Sequence, residues 1–352
     1  MNLKLKHYLE LDGVRAIAVI MVMLYHFFQD LNTSDAVLLF VKKISLFGKT
    51  GVSLFFVLSG FLITRILIDT KQREGYFKSF YARRILRIFP LYYFFLIVYY
   101  FILPLLPGRS FVGFSDQIWY WTFLQNVAMT FGWHNIGPSH YWSLAVEEHF
   151  YLFWPLIIYF CSLKNIKWAI VALCFLSLGT RFLLIYFHFE ESQFSLARFD
   201  ELAIGACLAV LEREHKLTRN NLKYFASAFI ILLFPLLYIS LKNGSYSLLD
   251  SMMRYLILGL FYGSFIAIAM TLSTKHFLKK ILSNNLMRFT GKISFGLYVY
   301  HPICFLLVSK YLKVPNLALH FVLCIGLAYL VSVLSYYLLE KRFLGLKSKF
   351  GY

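Results

Sequence analysis

LDGVRAIAVIMVMLYHF, residues 11–27, is apolar over almost its whole length, yet it carries Arg15 and, eleven residues later, His26. Ionisable side chains at membrane depth are costly and mark function by default. In a helix, eleven residues turn through about 1100°, so both side chains point to nearly the same side. At about 1.5 Å of rise per residue they stand roughly 16 Å apart. An arginine near one membrane surface and a histidine deeper in predict a polar path through a bundle of membrane helices.

The rest of the chain repeats the apolar pattern. Of 352 residues, 60% are hydrophobic, and the mean hydropathy is +0.66, which excludes an ordinary soluble domain. Apolar runs long enough to cross a bilayer fall at about 11–30, 48–67, 88–106, 142–162, 166–186, 197–212, 223–240, 253–272, 293–311 and 317–338. The sixth is short and polar at its start, and 117–131 reads as a re-entrant element. The runs are too long and too continuous for barrel strands. The expected fold is therefore all-α: a polytopic transmembrane helix bundle of about ten spans with both termini cytoplasmic. Residues 1–352 read as one membrane domain.

A formal charge of +18 invites a nucleic-acid partner, but the placement of the charge argues against one. Most Lys and Arg fall in segments that this topology puts inside, the positive-inside bias. Lys71, Arg73, Lys78, Arg83, Arg84 and Arg87 form the strongest pin, and Lys42 with Lys43 argues weakly the other way. Basic inner surfaces also suit anionic membrane lipids. The first apolar run has no small-residue cleavage site after it and reads as a retained span. Cys161, Cys174, Cys207, Cys304 and Cys324 are scattered without metal-ligand spacing and read as packing residues.

Several polar residues interrupt the apolar runs. In RRILRIFPLYYF, residues 83–94, Arg84 and Arg87 share a helix face and suit phosphate oxygens, whether of lipid or of a substrate. Pro90 fits a helix start or a kink. Gly51, Ser53, Ser59 and Gly60 permit close helix packing and carry no expected catalytic role. The connection 107–141 holds Pro107, Gly108, His134 and His140 amid Trp119, Trp121 and Trp133, with Trp142 just beyond. That pattern serves as an interfacial belt or as a glycan entrance.

In HYWSLAVEEHFYLFWPL, residues 140–156, Ser143, Glu147 and Tyr151 recur every four residues as one polar stripe. Glu148 points elsewhere. Carboxylates at a span are expensive unless paired, so these glutamates are either functional or ion-paired to an arginine of another span. RFDELAIGA, residues 198–206, brings Arg198, Asp200 and Glu201, where Arg198 either pairs internally or offers a cation to substrate. GKISFGLYVYHP, residues 291–302, puts Ser294, Tyr298 and His301 along one side, with His301 expected near the outer surface. His7, His215 and His276 read as inner-loop residues. No phosphate loop, zinc HExxH or serine-hydrolase GxSxG is present, so ATP-driven transport and metallohydrolysis have no support.

Taken in order, LDGVRAIAVIMVMLYH, GVSLFFVLSGFLITR, YARRILRIFPLYY, YWSLAVEEHFYLFWP, RFDELAIGACLA and GKISFGLYVYHP resemble the bacterial membrane-bound acyltransferase family 3, which includes O-acetyltransferases of surface glycans. Together these segments reach from residue 11 to residue 302. The resemblance implies about ten helices and an acyl-CoA donor, usually acetyl-CoA, as cosubstrate with no permanently bound cofactor and no metal. It also implies transfer to a hydroxyl of an envelope glycan, such as O-antigen, capsule or exopolysaccharide, or of an undecaprenyl-linked glycan. The family's arginine and histidine match Arg15 and His26, its membrane-edge arginines Arg84 and Arg87, its motif glutamate Glu147, and its later histidine His301. Glu148 occupies a more variable place. Some members carry an extra periplasmic esterase-like domain, which is not expected here.

On this reading His26 is a general base and Arg15, Arg83, Arg84 and Arg87 attract the donor phosphates from inside. Glu147 either orients His26 or holds the acceptor. Ser143, Glu148, Tyr151, Arg198, Asp200, Tyr298 and His301 are acceptor-binding or structural polar residues. Direct transfer and an acyl-protein relay both stay open. The competing class is a transporter or flippase of a glycan precursor, which explains many spans and an ionisable path without chemistry.

Overall fold

The structure, a computed structural model, describes residues 8–106, 110–242, 246–312 and 314–351; His7, Pro107 and Gly108 lie outside the described residues. Among the described residues every regular element is helical. The first half contains α1 (Leu9–Phe28), α2 (Ala36–Leu46), α3 (Gly51–Thr70), α4 (Tyr76–Ile97), α5 (Phe114–Trp121), α6 (Gln125–Thr130), α7 (Trp142–Phe160) and α8 (Leu163–Tyr186). The second half contains α9 (Phe199–Arg213), α10 (Leu222–Leu241), α11 (Leu248–Thr271), α12 (Phe277–Leu282), α13 (Asn285–Lys292), α14 (Ser294–Tyr311), α15 (Leu317–Ser335) and α16 (Lys341–Gly345).

Seven helical stretches among the described residues are long and apolar enough to cross a membrane. They become eight if α13 and α14, bent by 72° at their junction, count as one broken span. The chain is thus an all-α polytopic membrane bundle. Helices α7 and α9 form where the sequence places spans, but they fall outside this set. At 15 residues α9 is only about 22 Å long, and nearly all of it is buried, Asp200 and Glu201 included. An element wrapped by other helices need not match the lipid in length or polarity. Segment 117–131 is broken into α5 and α6, with Phe123 between them at φ 59°, a left-handed conformation rare for a bulky residue.

Membrane helices gain little from hiding apolar surface from lipid, so close backbone packing has to hold them together. The small residues supply it. A Cβ at Gly60 would meet the Leu202 carbonyl oxygen at 2.0 Å, and one at Gly205 would meet that of Val57 at 2.0 Å. Helices α3 and α9 therefore touch backbone to backbone. A Cβ at Gly291 would lie 1.9 Å from the Asp12 oxygen, so α13 is pressed onto α1 in the same way. Exposed apolar side chains such as Ile231 and Phe234 on α10 and Val322 and Leu330 on α15 form the lipid-facing perimeter. Pro90 sits in the interior of α4, not at its start. Its missing N–H leaves one carbonyl without the usual partner, a defect that membrane helices tolerate within a bundle.

Candidate active site

The site is built on α1, α4, α7 and α14. His26 Nδ1 lies 3.0 Å from the Val22 carbonyl oxygen and 3.1 Å from His301 Nε2. His301 Nδ1 lies 2.9 Å from the Leu297 carbonyl oxygen. A carbonyl only accepts, so both Nδ1 atoms carry the proton in the neutral rings. His301 Nε2 then accepts from His26 Nδ1–H, and the lone pair left over is on His26 Nε2. This is the tautomer a general base needs. His301 is fully buried, whereas His26 is partly exposed. One turn of α14 beyond Tyr298 turns the His301 ring inward onto α1. His140, in the turn before α7, packs against His301 with ring centroids 5.7 Å apart. Burial, then the nearby His26, hold His140 down to about 3, so it is neutral.

Two cavities lie toward the other end of α1. The wider one, about 380 Å³, is bordered by Arg15 and Arg87 together with Arg288 and Lys292 of α13. The narrower one, about 210 Å³, also reaches Arg15 and Arg87 and adds Arg84, Glu147, Glu148 and Tyr151. Phe295 lines both, so the two are neighbours along one path. The four-residue stripe of α7 faces this path as expected: Ser143, Glu147 and Tyr151 all line it. The Tyr151 hydroxyl donates to Glu147 Oε2 at 3.0 Å and also bonds Ser59. Among the described residues Glu147 makes no hydrogen bond to His26; the partner that orients His26 is His301. Glu148 Oε1 is buried without a hydrogen-bond partner.

The path ends at Ser143 and Tyr298, whose hydroxyl oxygens are 2.5 Å apart, with Tyr298 also donating to the His140 carbonyl at 2.8 Å. His301 stands just behind, its ring centroid 6.1 Å from that of Tyr298. His26 lines neither cavity. In this conformation Tyr298 and Ser143 form a partition between the cationic path and the imidazole pair.

The remaining residues singled out from sequence fall elsewhere. Arg83 lines neither cavity and donates to the carbonyls of Lys347 and Phe350, tying down the C-terminal segment. Arg198 is buried, paired with Glu201 at 2.7 Å, bonded to Ser53 at 3.2 Å, and laid 3.8 Å from the centre of the Tyr255 ring. Of the two roles open to Arg198, the geometry takes the internal one. Asp200 pairs with Arg181 at 2.8 Å, both side chains fully buried. Arg181, Arg288 and Lys292 were missed from sequence. Arg181 had a signal: it interrupts an apolar run as Arg15 does. Among the described residues no group of three or more His, Cys, Asp or Glu is placed to hold a metal.

Comparison with known proteins gives the chain a family. The acyltransferase-domain family matches residues 8–337. A peptidoglycan O-acetyltransferase of Listeria monocytogenes is 28% identical, the match covering 95% of this chain and 55% of that protein. An O-acetyltransferase of Staphylococcus aureus strain NCTC 8325 is 27% identical, covering 94% of this chain and 56% of that protein. The chain thus spans a little over half the length of the curated relatives it matches. No solved structure matches it. Long apolar helices and the family together make it a multi-pass protein of the cytoplasmic membrane. The chain belongs to the acyltransferase family 3, whose domain accounts for nearly all of the bundle described above.

Proposed function

We propose that the protein transfers an acyl group, acetyl from acetyl-CoA, across the membrane to a hydroxyl of a cell-surface or lipid-linked glycan. The observation that carries this reading is the hydrogen-bonded pair His26–His301, which frees one imidazole lone pair and sits behind the Ser143 and Tyr298 side chains that close the cationic path. The relatives' names, O-acetyltransferase and peptidoglycan O-acetyltransferase, support the reaction class and an envelope acceptor. In this reading ten helices are embedded, α7 and α9 among them. Both termini and the Arg15–Arg84–Arg87 end face the cytoplasm, following the basic segments.

Donor phosphates are held by Arg15, Arg84 and Arg87, whose guanidinium groups suit paired phosphate oxygens. The acyl arm runs along the narrow cavity beside the α7 stripe toward Ser143 and Tyr298. Contact between thioester and imidazole requires Tyr298 to yield. The acceptor hydroxyl attacks the thioester carbonyl while His26 Nε2 takes its proton. The C–S bond breaks, and the thiolate of CoA leaves with that proton. Glu147, held by Tyr151, balances the cationic wall within hydrogen-bond reach of the path.

The test is a vesicle carrying the purified protein, with radiolabelled acetyl-CoA on the cytoplasmic side and glycan on the other. Label in the glycan supports the enzyme. Glycan crossing the membrane with no use of acetyl-CoA makes the protein a transporter instead. Two variants refine the roles. Arg84→Gln combined with Arg87→Gln is expected to raise KM for acetyl-CoA about tenfold or more, since each charge-assisted contact contributes about 1.5–3 kcal/mol. An unchanged KM would leave both as topology residues. Glu147→Gln keeps size and removes charge; its expected cost is about tenfold in kcat/KM, and full activity would reject a required carboxylate there.

A further inference from the structure

The wide cavity holds more positive charge than the donor residues named so far explain. Arg288 and Lys292 stand four residues apart on α13, share a helix face, and join Arg15 and Arg87 around it. The two acids at its edge face Arg15 and Arg87 and not Arg288 or Lys292. Asp12 is engaged by Arg15 at 3.0 Å, and Glu340 is buried with its Oε1 directed at Ser335. Among the described residues neither Arg87, Arg288 nor Lys292 has a carboxylate within 4.0 Å. Arg288 Nε is buried with no hydrogen-bond partner. The backbone contact of Gly291 with α1 sets α13 against the cavity wall, which brings the stems of Arg288 and Lys292 to the same cavity as Arg15 and Arg87. Converging like charges around a partly dry cavity are unfavourable unless an anion sits among them.

The shape narrows the anion. The cation-lined cavity continues past Arg15, Arg87 and Phe295 into one with mostly apolar walls. That outline fits a polyanionic head with a slim, largely neutral arm. Resting on the acyl-CoA reading above, we propose that Arg288 and Lys292 form the binding site for the 3′-phosphate on the adenosine head of the donor, whose diphosphate stays with Arg15 and Arg87. The 3′-phosphate lies against α13, and Phe289 supplies an aromatic face beside the adenine. The arm then passes Arg15 and Arg87 into the narrow cavity. The same phosphate chemistry is offered by an anionic lipid headgroup of the cytoplasmic leaflet, and the test separates the two.

The full chain is placed in nanodiscs of phosphatidylcholine, with and without phosphatidylglycerol, and titrated with CoA and with 3′-dephospho-CoA. The wild type is expected to bind CoA about tenfold or more tightly than dephospho-CoA in both membranes, the worth of one charge-assisted phosphate contact. Arg288→Gln with Lys292→Gln is expected to erase that preference while changing dephospho-CoA affinity less than about threefold. Lys292→Gln alone, at an exposed position, is expected to lower the preference in a chain that folds normally. A full preference retained in the variants overturns the assignment. So does a preference already absent in the wild type, or loss of phosphatidylglycerol retention by the variants with CoA affinity intact, which gives the cavity to lipid. Failure of the wild type to bind either nucleotide sinks the acyl-CoA reading itself, a result distinct from all of these.

Discussion

Replacing His26 by alanine is expected to lower acyl transfer in reconstituted vesicles by about 10²–10⁴-fold, the usual worth of a positioned general base. Membrane insertion and acetyl-CoA binding should be retained. The size of the loss follows from the geometry. The ring is fixed by the Val22 carbonyl and His301, and the remaining nitrogen has no other hydrogen-bond partner among the described residues. No second imidazole replaces it: His301 spends both nitrogens on Leu297 and His26, and burial with the nearby His26 holds His140 down to about 3, too weak a base. The measurement is initial rate of label transfer at saturating donor, with donor affinity determined separately. Turnover at the wild-type rate would remove the assigned base and, with it, the proposed chemistry.

The second large effect is on folding. Asp200→Ala leaves the Arg181 guanidinium unpaired in a place with no solvent exposure, keeping only its bond to the Ala197 carbonyl at 2.6 Å. Breaking a buried pair by removing one partner costs about 3–5 kcal/mol, because the surviving charge stays desolvated. Thermal unfolding in detergent and the amount of folded protein in membranes should both fall. Replacing both partners, Asp200→Leu with Arg181→Met, should recover most of the loss, since a dry apolar contact carries no such penalty. A single Asp200→Ala variant that melts like the wild type would show that water reaches the pair. That result would reopen Asp200 as a residue that meets substrate.

Much of the site was legible in local pattern. Arg15 and His26 were set on one side of α1 by helical periodicity alone, and the α7 stripe faced a cavity as its spacing required. Helix existence was equally plain, because apolar runs must close their backbone hydrogen bonds within themselves. What stayed hidden depended on distant residues. The contact of His301 with His26 could not be read from α14, because 275 residues separate the two. Arg198 and Asp200 were open between two roles until Glu201, Ser53 and Arg181 were seen around them.

The amino-acid pattern by itself determined a membrane bundle and the ionisable side chains set into its apolar runs, because both follow from burying apolar surface at a cost for each charge within it. Only the tertiary structure decided which imidazole holds the other, which arginines are spent on carboxylates, and where Tyr298 divides the path. Those outcomes depend on how glycine-bearing helices close against one another, and backbone approach between remote segments leaves no trace in local periodicity.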